Sequence, residues 1–283
     1  MRILLASSSS GSRGGGEIFL RYLVDALHTK GHEVGLWMAD HHRMDELAAQ
    51  CAGSAEILRG RYDNTYDLRG RSLHAFLHRS NRRSARENWQ SWKPDLIQIN
   101  KQNLEDGLDL MKAAEGLPIP SICTIHITQT ANFLKASNAR IRDLLSRLVL
   151  KRHQGIFTTV AESRKTELGQ FLGPASSSRV RRVYNGTPDP DQTRVGSWRK
   201  EKRESLGLTP EQVLITMVGR MTAQKSPEVF LDKARQILRI HPNHRFLWVG
   251  DGDYETEWDR QCAKGSLLEG KVFRLPWEKE VLP

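Results

Sequence analysis

The feature that most constrains this chain is the regular alternation of short apolar runs with amphipathic segments of helical period. Residues 2–7 form an apolar run that ends in small polar residues and glycine. Residues 17–30 follow, with Phe19, Leu20, Leu23, Val24 and Leu27 spaced along one helical face. Gly31 then stands where a helix commonly stops. Residues 33–38 read as a second strand. Further strands are expected near 96–100, 121–125, 156–160 and 180–184, and helices near 104–114, 140–152 and 162–171. Strands and helices of this length in alternation predict parallel sheets covered by helices on both faces.

The pattern breaks at residues 185–198, NGTPDPDQTRVGSW, which are rich in Pro, Gly, Asp and Thr and carry no periodicity. After a short charged helix it restarts, with strands at 213–218, 245–249 and 271–275 and helices at 227–240 and 255–263. The expected organisation is a first domain over residues 1–185, a linker over 186–210 and a second domain over 211–283. Three strands are few for a doubly wound sheet, so the second domain reads as partial.

Hydrophobic residues make up 38% of the 283 and charged residues 27%, which suits a folded chain rather than a disordered one. No run approaches the roughly 18 apolar residues needed to span a bilayer, and the opening Met-Arg-Ile-Leu-Leu-Ala is too short for a signal-peptide core. Cys51, Cys123 and Cys262 lie far apart and are odd in number, which argues against a disulfide framework or a zinc site. The expected location is the cytoplasm. The net charge of +10 calls for an anionic partner: nucleic acid, a membrane surface or a phosphorylated substrate. Much of it is local, since residues 59–86 hold eight arginines against Asp63 and Asp67.

Five features could carry chemistry. The loop Ser7 to Glu17, SSSSGSRGGGE, joins a strand to a helix start, where glycines and free N–H groups make an anion site. Its spacing matches neither a dinucleotide fingerprint nor a P-loop, so a plain flexible turn is the competing reading. Arg220 and Lys225 flank the next such junction, before Pro227, and could converge on a diphosphate or be two solvated cations. His126 directly follows an apolar strand, at the end where open α/β sheets bind ligands. Asp251-Gly252-Asp253 could hold a divalent metal or form a tight turn, and Asp189-Pro190-Asp191 repeats the form inside the linker. Lastly, the arginine-rich stretch contains Leu73, Phe76, Leu77, Trp89 and Trp92, which suits either an interfacial helix on anionic lipid or a solvated basic helix over one sheet face. No base-reading or stacking element accompanies it, so nucleic acid is not an expected partner.

Taken in order, these segments resemble glycosyltransferase family 4, retaining enzymes of the GT-B class. The matching elements are the opening strand with Gly14 to Glu17, His126, Val160-Ala161-Glu162-Ser163 and Val183-Tyr184-Asn185-Gly186. Val218-Gly219-Arg220 with Lys225-Ser226-Pro227, and Phe246-Leu247-Trp248-Val249-Gly250-Asp251-Gly252, complete the series. The resemblance implies two Rossmann-type domains with parallel sheets, the second incomplete, an acceptor held by the first and a nucleotide diphosphate sugar by the second. It implies that Gly15 and Gly16 approach the donor phosphates from the acceptor side and that His126 lies beside the transferred sugar. Arg220 and Lys225 would carry the leaving diphosphate, making a divalent metal or other cofactor unnecessary and Asp251-Gly252-Asp253 a turn. The acceptor would be a lipid-linked or cell-surface glycan. Some relatives dock on the inner membrane face by a basic amphipathic helix, for which residues 69–86 are the match, with Arg79, Arg82, Arg83 and Arg86 as contacts.

The chain departs from that pattern twice. Thr187-Pro188 separates Asn185-Gly186 from Asp189, one position later than the family's aspartate. The family's two donor-holding glutamates, eight positions apart, have no counterpart, and residues 275–283 look like the segment that precedes them. The chain therefore reads as C-terminally truncated, with negligible turnover expected of it alone. A non-catalytic or partner-dependent subunit, and a metal-dependent transferase using Asp251 and Asp253, are the rival readings.

Overall fold

The computed structural model describes residues 1–65, 67, 68 and 70–278, and the chain divides into two compact units, Met1–Pro188 and Asp189–Pro283. Arg69 and residues 279–283 of the segments discussed above lie outside the described residues.

The first unit runs β1 (Arg2–Ser7), α1 (Gly15–Thr29), β2 (Glu33–Ala39), α2 (Asp45–Cys51), β3 (Glu56–Gly60), α3 (Arg71–Leu77), α4 (Arg79–Trp92) and β4 (Leu96–Lys101). It continues with α5 (Leu108–Ala114), β5 (Ser121–Ile125), α6 (Ala139–Arg152), β6 (Ile156–Thr159), α7 (Glu162–Leu172), α8 (Pro174–Ser177) and β7 (Val180–Arg182). The strands form one parallel sheet in the order β3-β2-β1-β4-β5-β6-β7. Chain order therefore reverses between β1 and β4, where Ala6 pairs with Ile99 and Ser7 with Asn100. Loops that leave neighbouring strands in opposite directions open a crevice at the carboxyl ends of those strands, so the topology itself points to the loops after β1 and β4 as the ligand site.

Leu4, Leu5 and Ala6 of β1 are fully buried, because the sheet is covered on both sides as a parallel sheet requires. Helices α1 and α2 pack together, while α3 to α7 form a second connected layer. Three tryptophans anchor part of this core. Trp37 and Trp89 meet edge to face at 5.7 Å, and the indole N–H groups of Trp37 and Trp92 donate to Asn88 Oδ1 and Glu56 Oε2. The arginine-rich stretch runs through α3 into α4, and the buried face of α4 is Asn81, Ala85, Trp89 and Trp92.

Several boundaries differ from expectation. The helix expected from residue 104 begins at Leu108, because Asp106 folds residues 102–106 into a side-chain-capped loop (described below). Edge strand β3 and helix α2 carry too few apolar residues to stand out by period. A helix, α9 (Val195–Ser205), begins inside the segment expected to be aperiodic.

The second unit adds β8 (Val213–Val218), α10 (Pro227–Ile240), β9 (His244–Val249), α11 (Glu255–Gln261) and β10 (Val272–Leu275). Among the described residues these strands make a three-stranded parallel sheet ordered β10-β9-β8. Its core is aromatic: Phe230 stands edge-on to Trp248 at 5.4 Å and stacks on Trp258 at 5.9 Å, above Leu231, Ala234 and Leu238 of α10.

Candidate active site

In the first unit the switch point is built from polar side chains at the ends of three strands. Past Ser7, the backbone N–H of Ser8 donates to Asn100 O at 3.1 Å and carries the sheet one residue further. The chain then loops to the start of α1. Gly15 is exposed, with open space where a Cβ would stand, so a ligand can approach the helix N-terminus there. Gly16 is glycine for another reason. It is buried, and a Cβ on it would lie 2.8 Å from Cδ of Gln102. Gln102 in turn donates to Ser9 Oγ at 2.8 Å and to Glu17 Oε1 at 2.9 Å, tying the loop after β4 to the first turn of α1.

His126 sits at the end of β5, its backbone N–H on Lys101 O. Its Nε2 lies 2.8 Å from Asn100 Oδ1, and Asn100 Nδ2 donates to Gly16 O at 3.3 Å. Because the amide nitrogen of Asn100 is committed to a carbonyl, its oxygen accepts from His126, which fixes the proton on Nε2 and leaves Nδ1 as the bare acceptor. Phe19 packs edge-on to the imidazole at 5.1 Å. Burial pushes the imidazole down to about 4, against the pull of Asp106, so the ring is neutral near pH 7.

Beneath this lies a buried knot. Asp106 accepts from the backbone N–H groups of Gln102 (3.1 Å) and Asn103 (2.7 Å) and from the Ser8 hydroxyl. The fully buried ammonium of Lys101 donates to the backbone carbonyl of Asp106. Sequence reasoning singled out His126 and the glycines but not Asn100, Gln102, Asp106 or Lys101. Their signal was a polar run, Asn-Lys-Gln-Asn, directly after an apolar strand.

In the second unit, the loops that follow β8 and β9 pack backbone against backbone. Met221 N donates to Asp251 O at 2.9 Å, and Tyr254 N donates to Met221 O at 3.1 Å. A Cβ at Gly252 would stand 2.7 Å from the Met221 carbonyl carbon, and Gly250 has φ +129, so both positions require glycine. Arg220 and Lys225 emerge from this platform. The Lys225 stem runs beside Gly219, 3.4 Å from where a Cβ would be, and reaches the start of α10. Both cations are exposed, and neither side chain has a hydrogen-bond or ion-pair partner among the described residues. Asp251 Oδ2 accepts from Trp277 N at 3.2 Å, a turn-capping role. Among the described residues no group of three acidic, His or Cys side chains assembles to hold a metal.

The four arginines of α4 are not equivalent. Arg86 donates to Lys112 O and Ala113 O, each at 3.2 Å, capping the end of α5. Arg83 pairs with Glu87 at 2.7 Å, while Arg79 and Arg82 have no such partner among the described residues. Of the apolar residues expected beside these arginines, Trp89 and Trp92 are core residues and Phe76 packs against the core, while Leu73 and Leu77 of α3 are exposed.

A sequence model of glycosyltransferase family 4 matches residues 13–189, from the glycine-rich loop through β7. The chain is 29% identical over 82 residues to the UDP-Gal:alpha-D-GlcNAc-diphosphoundecaprenol alpha-1,3-galactosyltransferase of Escherichia coli, covering 28% of this chain and 21% of that protein. It is 32% identical over 94 residues to the Vi polysaccharide biosynthesis protein VipC/TviE of Salmonella typhi, covering 32% and 16%. Those alignments span about a fifth of the relatives' lengths. Anabaena Alr3699/HepE, solved in complex with UDP and glucose, superposes with a TM-score of 0.66 at 18% identity, over 99% of this chain and 70% of that one. The fold is the α/β, parallel-sheet GT-B class. With more than half of its length matched, the chain belongs to glycosyltransferase family 4.

Proposed function

We propose that the protein transfers a hexose-type sugar, with retention of anomeric configuration, from a nucleotide diphosphate sugar to a lipid-linked or cell-surface glycan precursor. The observation that carries this reading is the pair Arg220 and Lys225, without side-chain partners among the described residues and raised on a glycine platform at a strand end and a helix start. As the glycosidic bond breaks, negative charge gathers on the leaving diphosphate, and fixed cations stabilise that charge more than the ground state. Two of them make a divalent metal dispensable. In the first unit, Gly15 leaves the α1 N-terminus open to phosphate. His126 faces the transferred sugar as a neutral ring, and so adds no positive charge beside an oxocarbenium-like carbon. The diphosphoundecaprenol-linked acceptor in the name of the Escherichia coli relative supports a lipid-linked acceptor here. On this reading the protein works in the cytoplasm, at the inner face of the membrane.

The test is the melting temperature of the purified chain with uridine or guanosine diphosphate, with and without Arg220→Ala. Saturating ligand stabilises the folded state by about 2.7 kcal/mol at a hundredfold excess over Kd. A shift with one nucleotide, lost in the variant, supports the clamp and identifies the base. A folded protein that neither nucleotide stabilises would sink the reading.

A further inference from the structure

The first unit exposes an apolar stripe that its core does not use. On α6, Ile141, Leu144 and Leu148 recur at three- and four-residue spacing on the outer face, while Ser146, Val149 and Leu150 face inward. Phe133 and Leu134, in the loop that leads into α6, extend it, and these five side chains are 48–66% exposed. The loop is fastened to the helix: the Asp143 carboxylate accepts from Ala131 N at 2.8 Å and Asn132 N at 3.0 Å. Helix α3, which packs against α6, adds the exposed Leu73 and Leu77. Soluble proteins scatter such residues singly. A run of them on one helix and its leading loop marks a contact surface.

The charge around the stripe indicates what covers it. Arg140, Arg147 and Lys151 are exposed on α6 at seven- and four-residue spacing, alongside the leucines. The acidic groups nearby are already committed, Asp143 to the loop and Glu105 to Arg142 at 2.6 Å. A second copy of the same stripe would bring these cations against one another. An anionic lipid surface satisfies both the apolar stripe and its cationic border. We infer that α6 and the 133–134 loop, rather than α4, form the surface by which this protein docks on an anionic membrane, the apolar side chains entering the headgroup boundary and the cations meeting lipid phosphate. This deepens the membrane-side reading above and rests on it for the choice of lipid over protein. Arg79 and Arg82 of α4, in the same helix layer and without an ion-pair partner among the described residues, add long-range attraction but have no apolar face on α4 to insert.

The experiment is flotation of the full chain with phosphatidylcholine vesicles, with and without phosphatidylglycerol, in the absence of any nucleotide sugar or acceptor. The chain is expected to float with the anionic vesicles and not with pure phosphatidylcholine. Leu144→Ser with Leu148→Ser should weaken partition roughly tenfold per leucine, since each is half exposed and loses about half of a buried leucine's transfer energy. Arg140→Glu with Lys151→Glu should abolish the preference for anionic lipid. All four side chains are exposed, so an unchanged melting temperature certifies that each variant is folded. Absence of flotation by the folded wild type, or wild-type partition by the double leucine variant, would overturn the proposal. So would a wild-type dimer in light scattering that the leucine variant dissolves into monomers. Vesicle binding needs no nucleotide and the nucleotide-dependent melting shift needs no vesicle, so the two readings fail separately.

Discussion

Removing the Asp106 carboxylate should cost this protein more than any change at the exposed clamp. Asp106 is fully buried and accepts from three donors: Gln102 N, Asn103 N and the Ser8 hydroxyl. The buried Lys101 ammonium is held by the backbone carbonyl of Asp106, so the same loop geometry serves both groups. Each stranded buried donor costs about 1–3 kcal/mol, and three donors meet this carboxylate. Asp106→Ala should therefore lose about 4–6 kcal/mol, a large share of the 5–15 kcal/mol that holds a typical domain together. Asp106→Asn keeps one acceptor oxygen and loses the charge, so about 2–3 kcal/mol is expected. Lys101→Met in that background removes an ammonium whose carbonyl acceptor lies in the same loop, so the double change should cost about 1–2 kcal/mol less than the sum of the single changes. Urea unfolding followed by circular dichroism gives the totals, and hydrogen exchange of peptides over residues 97–105 assigns the loss to the first unit. An Asn variant that costs less than about 1 kcal/mol, or single changes that simply add, would refute the argument that this knot holds the loop after β4.

Three further outcomes follow from the site. His126 and His153 are each pushed down to about 4 by burial, so between pH 6.5 and 4 the unfolded chain binds more protons than the native one. Stability is then full above pH 6.5 and falls as the pH drops toward 4, by at most about 3 kcal/mol per histidine, and acid unfolding of His126→Gln should show a shallower slope. Gly15→Ala should leave stability within about 0.5 kcal/mol because nothing meets its Cβ, whereas Gly16→Ala should displace Gln102 and cost about 1–3 kcal/mol, as thermal melts would show. Gly252→Ala presses a Cβ on the Met221 backbone, so it should destabilise the second unit by several kcal/mol, on the order of other core overpacking, and remove nucleotide-dependent stabilisation while Arg220 and Lys225 stay intact.

What the sequence revealed and what it hid divide along a physical line. Strands β1, β2, β4 and β5 were visible because a parallel strand covered on both faces must be apolar at consecutive positions, as Leu4, Leu5 and Ala6 are. Strand β3 was invisible because, at the sheet edge, Gly60 alone of its five residues is buried. His126 was legible because it directly follows such a strand. Its partner Asn100 was not, since the contact joins residues 26 apart and depends on the β4–β5 register that pairs Asn100 with Thr124. The inward face of α4 was hidden for the same reason. Eight arginines over residues 59–86 dominate any composition-based reading, and nothing local shows that Trp89 turns inward to meet Trp37, 52 positions earlier. The α6 stripe escaped for the converse reason: Ile141, Leu144 and Leu148 share their helix with buried Val149 and Leu150, so the apolar residues look like a single core face until burial separates them. Periodicity reports that a residue is apolar, whereas only tertiary placement reports whether that surface is already covered. A face that is apolar yet uncovered is the kind of feature that sequence patterning assigns to the core.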